Sequence, residues 1–178
     1  MEQEKKHKKA VGILIIALDT GNVLLLQRSN KAGHSHMWAL LSGGIDAEEN
    51  EMEALKREIS EEIGIESLSY ISDYEKKDSY STETPTKILD FSYYIGFTNS
   101  EFEPKLNFEN ENSGWFGVDN LPSPLFKGLR GKINKLKPEI IEKMRDKQLA
   151  TQPEPELQTE SKIKDKWVKE LRLLEKSI

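Results

Sequence analysis

The chain has no cysteine among its 178 residues. This excludes disulfides, thiol nucleophiles and zinc sites built on sulfur, and it makes a reducing cytoplasm the expected location. Long apolar runs are also missing, because the run at residues 11–18 is too short to span a bilayer. That run follows a basic stretch, as in a signal peptide, but it meets Asp19 with no small-residue cleavage site. We therefore interpret it as a buried strand and expect no membrane association.

An excess of basic charge is absent as well. The chain has 31 acidic and 26 basic side chains, for a net charge of -5. This balance argues against a nucleic-acid partner held by bulk charge. It favours instead hard cations, whose ligands are oxygen atoms. Apolar residues make up 36% of the chain and charged residues 32%, so part of it is expected to lie outside a packed core.

The order of the predicted elements indicates an α+β fold. Two apolar runs, residues 11–18 and 23–27, flank a turn and predict a β-hairpin. Residues rich in β-branched and aromatic side chains predict more strand at 65–73, 88–98 and 114–118. The remaining predictions are a polar loop at residues 76–87 and a mostly helical stretch at 125–149, broken at Pro138.

The composition of the chain divides it into four parts. Residues 1–8 are polar and are predicted to be a flexible N-terminus, and residues 9–149 would form the globular domain with its closing helices. Residues 150–161 contain two prolines among polar residues and are predicted to be a linker. Residues 162–178 have a narrow apolar seam and predict an amphipathic helix, which could pack on the domain or on a second copy to give a homodimer. A basic run in the closing helices is interpreted as a solvated face, with a phosphate-rich partner as the alternative: Lys127, Arg130, Lys132, Lys135 and Lys137.

One helix is predicted strongly. Asn50 is a favourable N-cap with Glu53 three residues later, a variant of the capping box. Gly64 supplies a stop in the left-handed region. An apolar stripe recurs at intervals of three and four residues: Met52, Leu55, Ile59 and Ile63.

Three carboxylates face largely away from this stripe. At 100° per residue, Glu58, Glu61 and Glu62 fall within a sector of about 100°. Their repulsion costs a few tenths of a kcal/mol per pair, which Arg57 or a divalent cation would offset. Magnesium prefers such oxygen ligands and can polarise a phosphoryl group and activate water. A glutamate-rich helix face is otherwise most often solvated surface, so the helix alone does not establish a metal site.

Residues 43–65 read GGIDAEENEMEALKREISEEIGI and resemble the Nudix box. The box has G, five residues of any type, E, seven of any type, and then R-E-U-x-E-E-x-G-U, where U is bulky and aliphatic. Trp38 and the glycine turn at residues 42–44 also resemble the segment that leads into the box in this family. Trp115-Phe116, followed by residues 119–122, resembles the motif that closes its domain. The chain departs from the family at residues 41–42, Leu-Ser, where many members have Pro-Gly. Every specified position of the box is occupied: Gly43, Glu49, Arg57, Glu58, Ile59, Glu61, Glu62, Gly64 and Ile65.

The resemblance implies a Nudix-type α/β/α sandwich with a mixed sheet, here with a helical C-terminal extension. It implies that Glu58, Glu61 and Glu62 are metal ligands, and that either Glu58 or Glu62 also serves as the general base. Glu49 and Arg57 would orient this set by ion pairing. Gly43 would let the backbone approach the metal or a phosphate closely.

Other candidate residues lie outside the box. Some members of the family have an additional glutamate before the closing tryptophan, and Glu109 and Glu111 are the candidates here. Arg28 could contact a substrate phosphate or be a solvated charge after the second strand. Tyr80 lies where relatives have residues that mark the substrate class. We interpret the two histidines, His34 and His36, as incidental residues of a surface loop.

The function implied is hydrolysis of a diphosphate linkage in a nucleoside diphosphate derivative or a nucleoside triphosphate. The cofactor implied is Mg²⁺, with Mn²⁺ as a substitute, and the partner is a small molecule derived from a nucleotide. The alternative is a catalytically weak ligand-binding or regulatory module on the same fold. Isoprenoid diphosphate isomerases share this fold but need a cysteine, which the chain lacks.

Overall fold

The computed structural model describes residues 5–151, in which the chain forms a sheet and two α-helices. The helices are α1 (Glu51–Ile63) and α2 (Leu129–Thr151), and a 3-10 helix spans Ile65–Ser69. The chain divides into two units, Met1–Arg145 and Asp146–Ile178, and residues 146–151 of the second unit are the end of α2. The strands are β1 (Lys6–Ala17), β2 (Val23–Arg28), β3 (Trp38–Ala39), β4 (Leu41–Gly44), β5 (Ile71–Glu83), β6 (Lys87–Thr98) and β7 (Asn110–Phe116).

The strands form one mixed, 7-stranded sheet. Its main order is β3-β2-β1-β6-β5, with β4 paired to β1 and β7 paired to β2. β1 and β6 run parallel, and the other strand pairs are antiparallel. The predicted hairpin of β1 and β2 is confirmed, with Ile15 opposite Leu24. β1 is covered on both faces, which explains its continuous apolar run.

A separate hydrophobic core lies on each face of the sheet. On one face α1 packs against β1 and β2, with Leu55 and Ile59 fully buried. On the other face α2 packs through residues such as Ile133 and Leu136. Side chains of a strand alternate between the faces, so Leu24 joins the α1 core and Leu25 the α2 core. The predicted sandwich with a mixed sheet is thus confirmed.

Helix α1 has the predicted start, stripe and stop. The Asn50 side chain accepts hydrogen bonds from the backbone N–H groups of Met52 and Glu53, and the Glu53 side chain accepts one from the Asn50 N–H. Gly64 has a φ of 94°, in the left-handed region that glycine tolerates. These local signals fix where the carboxylates of the helix stand relative to the core.

Two strand predictions were wrong. Residues 76–87 were predicted to be a loop, but β5 continues to Glu83 and β6 begins at Lys87. The reason is pairing: β5 is hydrogen-bonded to β6 along its length, although most of its side chains are exposed and polar. Residues 65–69 were predicted to be strand but form the 3-10 helix, because Gly64 turns the chain directly after α1.

The limits of the domain also differ from those predicted. Residues 6–8 were assigned to the flexible N-terminus, but they belong to β1 because their backbone pairs with residues 87–89 of β6. Helix α2 continues through Pro138 without a break, since Leu136 and Ile140 are buried on either side of this exposed proline. Residues 150 and 151, predicted as linker, are helical. The rest of the linker and the helix predicted at residues 162–178 lie outside the described residues.

No helix in the described part of the chain is long and apolar enough to cross a membrane.

Candidate active site

Arg57 connects the loop before α1 to the carboxylates on the helix. Its Nε and Nη2 atoms donate to the two oxygens of Glu49 at 2.7 and 2.9 Å, a bidentate pair. Nη2 also donates to the Gly44 carbonyl oxygen at 2.8 Å. Nη1 donates to Glu58 at 2.7 Å and to Glu61 at 3.3 Å. One guanidinium group therefore orients the loop and two carboxylates of the helix.

Two of the three helix glutamates are buried. Glu58 and Glu62 are 8% and 4% exposed, whereas the Glu61 side chain is 55% exposed. Burial raises the pKa of Glu58, and the charges of Glu61 and Glu109 add to that rise against the opposing effect of Arg57. Burial also raises the pKa of Glu62 to about 7. Carboxylates with a pKa raised by burial are found at functional sites more often than elsewhere in proteins.

Asn110 and Glu109 bring β7 into the site. The Asn110 side-chain nitrogen donates to Glu62 at 2.8 Å, and Asn110 is buried. The charge of Glu109 contributes to the raised pKa of both Glu58 and Glu62, so this carboxylate lies near the pair. Asn110 had no signal in the sequence, because only the fold shows that a buried glutamate faces it and needs a donor.

Gly43 makes the packing of Glu58 possible. A Cβ atom on Gly43 would overlap the carboxylate of Glu58, whereas a Cβ atom on the neighbouring Gly44 would meet nothing within 4 Å. The β4 backbone at Gly43 and the Glu58 carboxylate are therefore in direct contact. This close contact requires a glycine at position 43 but not at position 44.

The other candidates outside the box have different surroundings. Glu111 accepts a hydrogen bond from or donates one to His36 Nδ1 at 2.6 Å, according to which of the two carries the proton. Arg28 Nε donates to the Gly33 carbonyl oxygen at 2.6 Å. Its charge acts on Glu62, against the dominant effect of burial. The structure thus brings Glu109 and Arg28 toward the helix carboxylates, whereas the Glu111 side chain is engaged with His36.

A cleft of about 320 Å³ opens beside Gly43 on the α2 face of the sheet. Arg28 and Gly43 line it together with residues of β5, β6 and α2. Among residues 5–151, those that line this cleft include no aspartate or glutamate. The cleft is therefore suited to an anionic ligand, while the carboxylates lie behind Gly43. Its polar and aromatic lining is Arg28, His34, Ser42, Tyr80, Phe91, Phe126, Lys127 and Lys132.

A second cavity of about 340 Å³ shares Ala10, Tyr80 and Phe91 with this cleft, and its other lining residues include Ser79 and Ser92. Of its two carboxylates, Asp90 is hydrogen-bonded to His7, and Glu51 accepts hydrogen bonds from Lys76, Ser92 and Tyr94. Burial opposes these bonds, but together they lower the pKa of Glu51 to about 2. We therefore assign the ligand to the cleft beside Gly43, where no carboxylate opposes an anion.

The carboxylates suit a hard divalent cation by their chemistry. Glu58, Glu61, Glu62 and Glu109 supply only oxygen donors, and burial raises the pKa of Glu58 and Glu62, a cost for their charge that a bound cation would offset. Across residues 5–151, no group of three or more His, Asp or Glu side chains is already arranged to hold a metal ion. Arg57 accounts for part of this, since it holds Glu58 and Glu61.

Comparison with known proteins identifies the domain and several relatives. A family model described as NUDIX domain matches residues 6–142. The 8-oxo-dGTP diphosphatase of Haemophilus influenzae is 36% identical over 81 residues, which is 46% of this chain and 57% of that protein. The RNA pyrophosphohydrolase of Bartonella quintana is 33% identical over 88 residues, or 47% of this chain and 49% of that protein. The chain thus spans about half the length of these curated relatives.

Solved structures share the fold. A MutT protein from Methanosarcina mazei matches with a TM-score of 0.62 and 23% identity, over 77% of this chain and 97% of that one. The dihydroneopterin triphosphate pyrophosphohydrolase of E. coli matches with a TM-score of 0.60 and 19% identity, over 78% and 99%. At these identities the likeness concerns the fold alone.

Proposed function

Because the chain belongs to the Nudix family, we propose that it is a magnesium-dependent hydrolase that cleaves a diphosphate linkage in a nucleotide derivative. One observation carries this proposal: buried Glu58 lies against Gly43 at the edge of a cleft without carboxylates, and buried Glu62 follows one turn later on the same helix. A purely structural domain would gain nothing from two acidic side chains buried on one helix, since burial makes their charge costly.

The metal would be held by Glu58, Glu61 and Glu62, with Glu109 as the additional ligand. A bound Mg²⁺ ion, or Mn²⁺ in its place, would polarise the phosphoryl oxygens and favour ionisation of water. The Gly43 backbone would lie close to the ion or to a phosphate, because no side chain separates it from Glu58. Arg57 would act as a positioning residue, since it holds Glu58 in place by a hydrogen bond and does not line the cleft.

The reaction proposed is attack of a water oxygen on one phosphorus of the linkage. The water gives its proton to a carboxylate oxygen of Glu58 or Glu62, a new P–O bond forms, and the bridging P–O bond breaks as the leaving phosphate departs. Glu62 suits the role of base by its burial and by the Asn110 hydrogen bond that fixes one of its oxygens. Arg28 at the cleft would offset charge on the phosphates. Positioning and electrostatics would supply most of the rate enhancement.

The curated relatives differ in the substrates that their names state, so membership of the family does not identify the nucleotide substrate. The cleft favours an anionic ligand with an aromatic base, which restricts the choice to nucleotide derivatives. We propose a cytoplasmic location, because a chain without cysteine suits a reducing compartment.

The test is release of phosphate or nucleotide from a panel of ADP-ribose, NADH, dinucleoside polyphosphates, nucleotide sugars and nucleoside triphosphates, with and without Mg²⁺. Glu58→Gln and Glu62→Gln should each lower kcat by about 100-fold or more, because general-base catalysis contributes on the order of 10² to 10⁴. If no compound of the panel is hydrolysed and one of them binds tightly, the result would favour the ligand-binding module instead.

Glu109 and Glu111 form a matched pair for the same assay. We expect Glu109→Gln to lower kcat by about 10-fold or more and to raise the Mg²⁺ concentration needed for half-maximal activity. Glu111→Gln should leave both values close to those of the wild type, because its carboxylate contacts His36 and not the helix glutamates. The opposite ranking would move the additional ligand from Glu109 to Glu111.

A further inference from the structure

The register of the sheet places the two ends of the cleft at a defined separation. Ala10 is opposite Gly44 on one side and Phe91 on the other, and Phe91 is opposite Tyr80. These four residues therefore form a row across four adjacent strands. At about 4.8 Å per strand the row extends about 14 Å, comparable to the length of an extended nucleotide. The carboxylates lie near the Gly44 end of this row. The Tyr80 end, which we call the far end, is therefore expected to bind the nucleoside part of the ligand and not its phosphates.

The far end is lined by aromatic rings. The ring centres of Tyr80 and Phe91 are 5.5 Å apart, and Tyr80 is 41% exposed. Phe126 lines the opposite side of the cleft, near Arg28, because its backbone N–H donates to the Trp38 carbonyl oxygen at 2.8 Å, and β3 and β5 are at opposite ends of the strand order. His34 meets the Phe126 ring edge-on at 5.1 Å. At the far end the accessible ring of Tyr80 and the half-buried ring of Phe91 can bind a flat aromatic group by stacking, so a nucleobase is the ligand group that fits this end.

Lys132 supplies a cation at the same end. Its Nζ atom lies 4.5 Å from the centre of the Tyr80 ring and 5.0 Å from that of Tyr93, within the range of cation–π attraction. Its ion pair with Asp78 spans 4.0 Å, which is longer than a hydrogen bond. The side chain is only 26% exposed. The two rings therefore hold the ammonium group in place while its N–H donors are not used by that carboxylate.

We propose that Lys132 contacts the edge of the nucleobase and selects a 6-oxopurine over a 6-aminopurine, an inference that rests on the proposed nucleotide substrate. An ammonium group has three donors and no acceptor. Guanine presents two neighbouring acceptors, O6 and N7, whereas adenine presents N7 beside an amino group that is itself a donor. Lys132 can therefore donate to both atoms of a guanine edge but meets an unfavourable donor on adenine.

A second phosphate is the other group to which an ammonium could donate. The position of Lys132 argues against it, because Tyr80 and Phe91 surround that end with apolar ring surface. Arg28 lies at the other end, close enough to Glu62 for its charge to act on that carboxylate. The phosphates and the base thus have separate cations in Arg28 and Lys132, and Lys127, which also lines the cleft, adds to its positive charge.

The test measures binding without turnover. The Kd values of guanosine and adenosine 5′-(α,β-methylene)diphosphate, which resist cleavage between the two phosphates, are measured by calorimetry with Mg²⁺ for the wild type and for Lys132→Met. Lys135→Met is the matched control, since Lys135 is an exposed lysine of the same helix that does not line the cleft. We expect the guanosine ligand to bind about 10-fold more tightly than the adenosine ligand in the wild type and in the control. The ratio should fall to about 1 in Lys132→Met and persist in Lys132→Arg, which keeps the donors.

Equal Kd values for the two bases in the wild type would overturn the inference, as would an unchanged ratio in Lys132→Met. Equal weakening of both ligands in that variant would assign Lys132 to a phosphate and overturn it too. Lys132→Gln, whose amide both donates and accepts, provides the same comparison if the methionine variant fails to fold. A guanine preference in a protein that hydrolyses nothing on the panel would reject the proposed hydrolysis but leave the base selection intact. Absence of binding by both ligands would overturn the base selection, whereas the hydrolysis itself is decided by the substrate panel.

Discussion

Replacement of Glu62 by glutamine should stabilise the protein above neutral pH. Burial raises the pKa of Glu62 to about 7, from an ordinary value of 4.5. Because the folded-state pKa is the higher one, the folded protein binds this proton more tightly than the unfolded chain. The free energy of unfolding therefore falls as pH rises from about 4.5 to about 7, and the full loss is present above pH 7.

The size of this effect follows from the difference between the two pKa values. At about 1.36 kcal/mol per pKa unit, the charge on Glu62 costs ~3 kcal/mol at pH 8 and ~1 kcal/mol at pH 5. Glutamine removes the charge and can still accept the hydrogen bond from Asn110. The charges of Glu58 and Glu109, which raise the pKa of Glu62, no longer oppose a charge at this position.

The assay is urea unfolding in EDTA at pH 5 and pH 8, with Glu61→Gln as the control. We expect Glu62→Gln to exceed the wild type in free energy of unfolding by ~1 kcal/mol at pH 5 and ~3 kcal/mol at pH 8. Glu61 is 55% exposed, so its replacement should change the value by less than about 0.5 kcal/mol at either pH. An equal gain at both pH values, or a loss at pH 8, would refute the account of Glu62 as a buried charge. Mg²⁺ should raise the stability of the wild type at pH 8 and should do so much less in Glu62→Gln.

Two further substitutions test the contacts around Glu58. Gly43→Ala should lower kcat/KM by roughly 10- to 100-fold, because the new Cβ atom would displace the Glu58 carboxylate. Gly44→Ala should have almost no effect, so equal activity of the two variants in the hydrolysis assay would contradict this reasoning. Arg57→Lys should lower the free energy of unfolding by about 1–2 kcal/mol in urea, because lysine cannot make the bidentate pair with Glu49 and also reach Glu58. Retention of wild-type stability in Arg57→Lys would show that Arg57 acts only through its charge.

The sequence predicted α1 closely because every signal for that helix is local. The Asn50 cap, the apolar stripe and Gly64 all lie within one segment, and each acts through neighbours in the chain. The prediction for β5 failed because its signal is not local. Its residues are polar and mostly exposed, and they form a strand only because β6 offers hydrogen bonds along its edge. Propensity describes such a strand poorly, since strand preferences depend on the partner.

The same distinction separates the proposed chemistry from the proposed specificity. The Nudix box holds its carboxylates and their arginine in one short segment, so the motif predicts the reaction class from sequence. The far end of the cleft joins Phe91 of β6, Tyr80 of β5 and Lys132 of α2, which are far apart in the chain. Their meeting depends on the register of β5 against β6, and a shift of that register by one residue would turn Tyr80 to the opposite face. Relatives that share the box can therefore differ in substrate, because the segments that contact the base are free to change while the box remains intact.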